Sequence, residues 1–270
     1  MTPLKAKTTA NRRDKEVVIR LADVHKSFGS LRVLSGVEVG LRAGETTVVI
    51  GASGAGKSVI LKHIVGLLRP DRGAVYFHEH RIDRLRAREL DRLRVRFGFL
   101  FQLGALFDSL TVGENIAFPV IEHTRRSPAE VADIVAEKLR MVGLDGLQSK
   151  RPAQLSGGQR KRVALARAIA LGPEVMLYDE PTTGLDPVRA DLINELILKL
   201  NRELGVTGIV VTHDMASARK VGHRIIMLEE GRFIFDGTPD ELLASKDDRV
   251  QRFVEGRATA EDLESLKSRV

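Results

Sequence analysis

Thr46-Thr47-Val48-Val49-Ile50, running into Gly51-Ala52-Ser53-Gly54-Ala55-Gly56-Lys57-Ser58-Val59, is the stretch whose reading decides the fold. A β-branched run breaks into a turn with three glycines. The turn opens onto Val59–Leu68, whose apolar residues recur at helical spacing, so the segment predicts strand, turn and helix. Arg69-Pro70-Asp71-Arg72-Gly73 then stops the helix. The turn fits the pattern GxxxxGK[ST] in the strand-to-helix context that pattern requires. Its glycines let consecutive backbone N–H groups converge on phosphate oxygens, and the helix start adds the positive end of its dipole. Lys57 is placed to reach the β- and γ-phosphates of a nucleotide, and the Ser58 hydroxyl to bind Mg²⁺. Gly51 to Val59 are therefore candidate ligands of ATP.

Working outward, the chain keeps alternating between the two periods. Val17–Leu21, Val33–Leu41 and Ala74–Phe77 read as strands, and the arginine-rich stretch that follows has helical spacing up to Phe97. Ser127-Pro128-Ala129-Glu130 is a helix start with a serine cap, a first-turn proline and a capping-box glutamate, and Gly143 ends that helix. Further helices are expected over Gly157–Ala170 and Pro187–Leu204, and buried strands over Val175–Tyr178 and Gly208–Thr212. Strands alternating with helices predict a parallel sheet covered on both faces, an α/β fold. The polar opening, residues 1–16, reads as a disordered tail, residues 17–246 as one catalytic domain, and residues 247–270 as an appended helical extension.

The bulk composition removes several classes. With 43% hydrophobic and 29% charged residues, the 270-residue chain can build a packed core. No run approaches the roughly 18–20 apolar residues that span a bilayer. There is no cysteine, which excludes disulfides, thiol catalysis and Cys-ligated zinc. The net charge of +7 raises the question of nucleic acid. Seven arginines fall between Arg81 and Arg96, yet Asp83, Glu89 and Asp91 interleave with them, as on a solvated face. Aromatic residues make up 4% of the chain, with no tryptophan, a poor basis for base stacking. Nucleic acid is not an expected partner.

Two further motifs carry chemistry. Val175-Met-Leu-Tyr-Asp179-Glu180 has the form of a Walker B strand: Asp179 emerges at the strand end to hold the magnesium shell, and Glu180 follows, suited to polarise an attacking water. Leu155-Ser156-Gly157-Gly158-Gln159 is identified as the ABC signature, and it opens a helix, so Ser156, Gly157, Gly158 and Gln159 form a second phosphate cradle. One chain cannot bring both cradles to one phosphate if they lie at opposite ends of a site. The physical answer is a head-to-tail homodimer, with each ATP between the loop of one subunit and the signature of the other.

The chain is thus identified as a member of the ABC transporter ATPases, a resemblance that covers roughly residues 17–243. It implies a RecA-like P-loop core, an antiparallel β subdomain and a helical subdomain over about residues 103–160. It also gives single residues their roles. Gln102, ending Phe99-Leu-Phe-Gln102, matches the Q-loop residue that touches Mg²⁺ and water and reports to the membrane partner. His213 matches the switch histidine on the γ-phosphate, and Phe28 lies where the family carries an adenine-stacking aromatic. Gly184-Leu185-Asp186 resembles the D-loop, which crosses the dimer interface.

Within that family, the run from Gln102 to Pro119, with its Gly-Ala-Leu-Phe-Asp-Ser-Leu core, is similar to MlaF-like ATPases of the Mla/MCE phospholipid transport systems. So are Glu122-His123-Thr124, Gly157–Arg162 and Asp248–Gly256. This likeness implies MlaE-type permease subunits, an MCE protein of MlaD type, a small STAS-type regulator as a candidate partner, and a location on the cytoplasmic face of an inner membrane. Two other readings stay open: the motor of a solute importer, such as one for amino acids, and a soluble ABC protein that grips nucleic acid.

For the tail, Val250, Phe253 and Val254 follow i, i+3, i+4 spacing and share a helical face. That face either folds back on its own domain or, as the family likeness suggests, reaches the other subunit or a regulator. Leu263 and Leu266 add to the tail's apolar content.

Overall fold

The computed structural model describes residues 16–258. In chain order, strands β1 (Val17–Phe28), β2 (Leu31–Arg42) and β3 (Thr46–Ile50) precede helix α1 (Lys57–Ile64). Strands β4 (Arg72–Phe77) and β5 (His80–Arg81), helix α2 (Ala87–Arg94) and strand β6 (Phe97–Leu100) follow. Three helices come next, α3 (Val112–His123), α4 (Pro128–Met141) and α5 (Gly157–Ala168). The chain then alternates through β7 (Val175–Asp179), α6 (Pro187–Leu204), β8 (Thr207–Val211) and α7 (Met215–Val221). A hairpin of β9 (Arg224–Glu229) and β10 (Arg232–Gly237) leads to α8 (Pro239–Leu243) and α9 (Asp248–Glu255).

These strands form a four-stranded antiparallel sheet, order β2-β1-β4-β5, and a six-stranded sheet, order β10-β9-β3-β8-β7-β6. In the larger sheet β9, β3, β8, β7 and β6 run parallel, and β10 returns antiparallel at the edge. Every residue of β3, β7 and β8 is buried, which explains why those strands read as unbroken apolar runs. One face of the sheet, with Val49, Leu177 and Ile209, packs on α1 and the antiparallel sheet. The other, with Val48, Met176 and Val210, packs on α3, α5 and α6. The architecture is the expected α/β one, a parallel sheet covered on both faces beside an antiparallel sheet.

Several boundaries differ from the sequence reading. The first strand continues to Phe28 rather than ending at Leu21, because three register shifts beyond Leu21, with Asp23 at φ 50°, break the alternation that would have betrayed it. The arginine-rich stretch is not one helix to Phe97. Asp83 accepts from Arg81 and from the Val75 amide and closes a turn, the helix spans only Ala87–Arg94, and Phe97 opens β6. Helix α1 stops at Ile64, four residues short, where Gly66 turns at φ 65°. The expected serine cap at Ser127 is present, with Glu130 completing its capping box.

Of the two readings of the tail, its described part shows the fold-back. Val250 is fully buried, and Phe253 and Val254 pack on the same core. The Gln251 amide donates to the carbonyls of Leu243 and Ser245. This face of α9 folds back on its own domain beside α8, whose Leu242 is buried in the same core. Residues 1–15, and Leu263 and Leu266, lie outside the described residues.

Candidate nucleotide site

The site grows from the end of β3. The chain leaves the sheet at Gly51, where φ is 152° and a Cβ would collide with the Leu228 carbonyl. It enters α1 at Gly56, with φ 101° and Val33 too close for any side chain. Between them the loop wraps the Lys57 ammonium, which donates to the carbonyls of Gly51 (2.9 Å) and Ala52 (3.0 Å) and lies 3.8 Å from Glu180 Oε1. Burial pushes the Lys57 pKa down, and the Glu180 and Asp179 carboxylates oppose it. The cation is thus held inside the loop, close to where phosphate charge would arrive.

One residue along α1, the Ser58 hydroxyl donates to Asp179 Oδ1 at 2.7 Å. Burial raises the Asp179 pKa, while that hydrogen bond, and Lys62 and Lys57, pull it down. A hydroxyl and one buried carboxylate are hard oxygen donors, too few for a protein-only cage. Among the described residues no cluster of three or more His, Cys, Asp or Glu could hold a metal. That sparse set fits Mg²⁺, which keeps waters and takes remaining ligands from nucleotide phosphates.

Glu180 follows the strand in the left-handed region, φ 49°, unusual for a residue with a side chain. Its amide donates to the Val211 carbonyl at 2.9 Å, which aims the side chain across the strand ends. Carboxylate Oε2 accepts from Thr183 Oγ1 (3.0 Å) and Thr212 Oγ1 (3.4 Å) and lies 2.9 Å from His213 Nδ1. The residue is 9% exposed, and the His213 ring projects outward from β8. Sequence reading missed Thr183 and Thr212, since a threonine after a strand carries no signal of its own.

The structure brings Phe28, Lys57, Ser58, Gln102, Glu180 and His213 to the wall of one cavity of about 360 Å³, together with Ser53, Gly54, Gly56 and Val59. Phe28 presents a half-exposed ring at the mouth, with the Lys26 ammonium 5.5 Å from its centroid. Ala52 and Ala55 instead face a second cavity, of about 430 Å³, between the loop and α9.

The remaining site candidates gather elsewhere. Ser156 caps α5: its hydroxyl accepts from the Gln159 amide at 3.3 Å, and the Gln159 side chain accepts from the Ser156 amide at 2.9 Å. A Cβ on Gly157 would touch Leu185 and one on Gly158 would touch Arg189. Asp186 caps α6 through the Arg189 amide. Signature and D-loop residues are therefore neighbours, and none of them lines the 360 Å³ cavity.

Between the two groups runs the Q-loop. Asn115, fully buried, accepts from the Phe107 amide and donates to the carbonyls of Phe107 and Thr111, so that segment is pinned to α3. On α5, Arg167 donates to the carbonyls of Ala105 (2.9 Å) and Gly104 (3.1 Å). Lys161 donates to the Glu180 carbonyl at 3.2 Å, and burial holds its pKa down at about 8. Lys161 and Arg167 escaped the sequence reading; a cation within the helix's apolar stripe was the available signal.

Comparison with known proteins agrees with this geometry. Residues 34–183 match the family model described as ABC transporter. The chain is 44% identical over 241 residues to the probable ribonucleotide transport ATP-binding protein mkl of Mycobacterium leprae, covering 89% of this chain and 70% of that one. It is 40% identical over 230 residues to the intermembrane phospholipid transport system ATP-binding protein MlaF of Haemophilus influenzae, covering 85% and 87%. A dimeric ATP-binding cassette solved in a post-hydrolysis state with ADP and Pi superposes with a TM-score of 0.76 at 37% identity, covering 82% of this chain and 98% of that one. The glycine-rich loop with Lys57 and Ser58, and Glu180 after β7, meet at one cavity with Asp179 bonded to Ser58, and in a chain this similar over this length they make the protein an ATPase of the ABC transporter family.

Proposed function

We propose that this ATPase is the motor of a phospholipid transporter, that it works as a head-to-tail homodimer, and that it binds Mg²⁺ with its ATP. What supports the catalytic half is the convergence of Lys57, Ser58, Glu180 and His213 on one cavity, with Asp179 accepting the Ser58 hydrogen bond. Lys57 binds the β- and γ-phosphates, turning its ammonium from loop carbonyls to the nucleotide. Ser58, Asp179 and Gln102 hold Mg²⁺, which when bound neutralises charge on the phosphates. Glu180 orients and polarises the attacking water, and His213 contacts the γ-phosphate. Phe28 stacks on adenine at the cavity mouth. Replacing Phe28 with Ala raises the ATP dissociation constant about fivefold or more and leaves turnover at saturating ATP unchanged, since a base–aromatic stack is worth roughly 1–3 kcal/mol. Titration with a fluorescent nucleotide reads this, and unchanged affinity assigns Phe28 to packing alone.

The domain division follows the same reading: a catalytic domain over residues 17–246 with a helical subdomain over about 103–160, and α9 as the start of the extension. Signature residues Ser156 to Gln159 and Asp186 serve the partner's nucleotide across the dimer.

The cargo rests on the likeness to MlaF and on the Gln102–Pro119 run. Overall identity does not choose, because the two relatives above carry names with different cargo. Partners on this reading are an MlaE-type permease, an MlaD-type MCE protein and a STAS-type regulator, and the ATPase lies on the cytoplasmic face of the inner membrane. Among the described residues no helix is long and apolar enough to cross a membrane, so the membrane path belongs to another chain on this reading. Beside the Q-loop, Phe101, Leu103, Phe107 and Phe118 are exposed, Leu103 to 93%, and the Phe107 and Phe118 rings lie 4.9 Å apart. An apolar patch of that kind is a docking surface for the permease. Phe118→Asp abolishes co-purification with the permease and leaves the ATPase rate of the isolated subunit within about twofold, because a charge inserted in a desolvated contact has no partner there. Retained co-purification moves the permease contact elsewhere. Recovery of a periplasmic-binding-protein importer with the chain, in place of an MCE protein, replaces the phospholipid reading with solute import.

A further inference from the structure

Lysine is among the residues least often buried without a charged partner. Lys161 is 7% exposed, on the face of α5 that also buries Gly158, Ala164 and Leu165. Among the described residues it forms no ion pair within 4 Å; its ammonium is spent on the main-chain carbonyl of Glu180. That peptide is the one whose conformation needs holding. Glu180 lies at φ 49°, and such a backbone persists only when its surroundings over-determine it. Its amide is fixed to Val211 on β8, and its carbonyl accepts from Thr183 within the same turn and from Lys161 on α5. The first two anchors belong to the strand ends themselves. Lys161 brings in the signature helix.

We infer that Lys161 is a positioning residue, which aims the Glu180 carboxylate by holding its peptide carbonyl and ties that aim to the signature helix. The inference rests on the reading of Glu180 as the group that activates water. Helix α5 makes the tie mechanical. Lys161 lies five residues, about 7.5 Å along the axis, from the Ser156 cap. A further six residues on, Arg167 grips the Q-loop carbonyls of Gly104 and Ala105. A displacement of the signature as it closes on the partner's nucleotide is therefore felt at the glutamate serving this chain's own nucleotide. A displacement of the Q-loop reaches the same helix from its other end.

The test uses the full chain assembled with its permease and compares Lys161→Met, Lys161→Arg and Glu180→Gln. Lys161→Met keeps the length of the stem and removes the donor. It lowers kcat about 10²-fold, the loss expected from ångström-scale misplacement of a reacting group, while the ATP dissociation constant stays within about twofold. Lys161→Arg, which restores a donor and its charge, recovers most of the turnover. A Lys161→Met enzyme with normal kcat, or one that loses nucleotide affinity in step with kcat, overturns the inference; the second result makes Lys161 a packing residue. If Lys161→Met does not assemble, the same split is read from Lys161→Gln, whose shorter side chain does not span to the carbonyl. Glu180→Gln separates the two layers. Normal turnover there removes the reading of Glu180 itself, whereas inactive Glu180→Gln beside fully active Lys161→Met removes only the positioning role.

Discussion

Glu180→Gln stops ATP hydrolysis and leaves ATP binding intact. Glutamine fills the same volume and accepts the same backbone conformation at φ 49°, so the turn after β7 survives. What it lacks is a carboxylate. The carboxylate that now receives hydroxyls from Thr183 and Thr212 and lies beside His213 shares the cavity wall with Lys57 and Ser58. Loss of a general base costs about 10²–10⁴-fold, equivalent to roughly 3–5 kcal/mol of transition-state stabilisation. Binding is spared because, on the proposed reading, the phosphate contacts come from the loop, Lys57 and the helix start. Single-turnover release of phosphate measures the first effect, and equilibrium nucleotide binding the second. On the head-to-tail reading, ATP that binds without being cleaved also holds the dimer closed, which sedimentation in ATP detects. Near-normal turnover shows that another group activates the water.

The parts of the site that were legible in the sequence are those that one short segment builds alone. Gly51 to Ser58 reads correctly as strand end, turn and helix start because all three are local, and its three glycines lie at positive φ. The same holds for Ser127 and Glu130, whose capping box is complete within four residues. Legibility fails where partners are distant. The Lys161–Glu180 bond spans 19 residues and the Arg167–Gly104 bond 63, and neither side of either pair carries a mark of the other. Strand β6 was hidden for a related reason. Phe97-Gly98-Phe99-Leu100 is short, and its glycine is there because a Cβ would strike Met176 and the Ala168 carbonyl, a demand set by β7 and α5. The bulged half of β1 was unreadable because its pattern is defined by β2 and β4 rather than by its own alternation.

The placement of the signature makes the second large effect all-or-none. Ser156 to Gln159 lie beside Leu185 and Arg189, outside the wall of the cavity that Lys57 enters. If both motifs act on one ATP, they act from different chains. Ser156→Arg puts a long cation where the signature must approach phosphate, and it also removes the hydroxyl that caps α5, a loss of about 1 kcal/mol. Lys57→Ala removes the cation that, on the proposed reading, meets the β- and γ-phosphates. In a homodimer of either variant both composite sites are defective, so ATP-dependent dimerisation and hydrolysis are lost. Mixing the variants places both lesions at one site of each heterodimer and leaves the other site with an intact loop from the Ser156→Arg chain and an intact signature from the Lys57→Ala chain. Because neither variant dimerises alone, the dimers that form on mixing are mixed dimers, and one of the two equivalent composite sites in each is intact. ATP-dependent dimerisation therefore reappears on mixing two proteins that each lack it, and sedimentation of differently tagged chains counts the heterodimers directly. If instead both motifs served the same nucleotide within one chain, every chain in the mixture would carry a broken site and nothing would be restored. Absence of rescue, with both variants folded and mixed dimers permitted to form, would falsify the head-to-tail arrangement and with it the assignment of Asp186 and the signature to the partner's ATP.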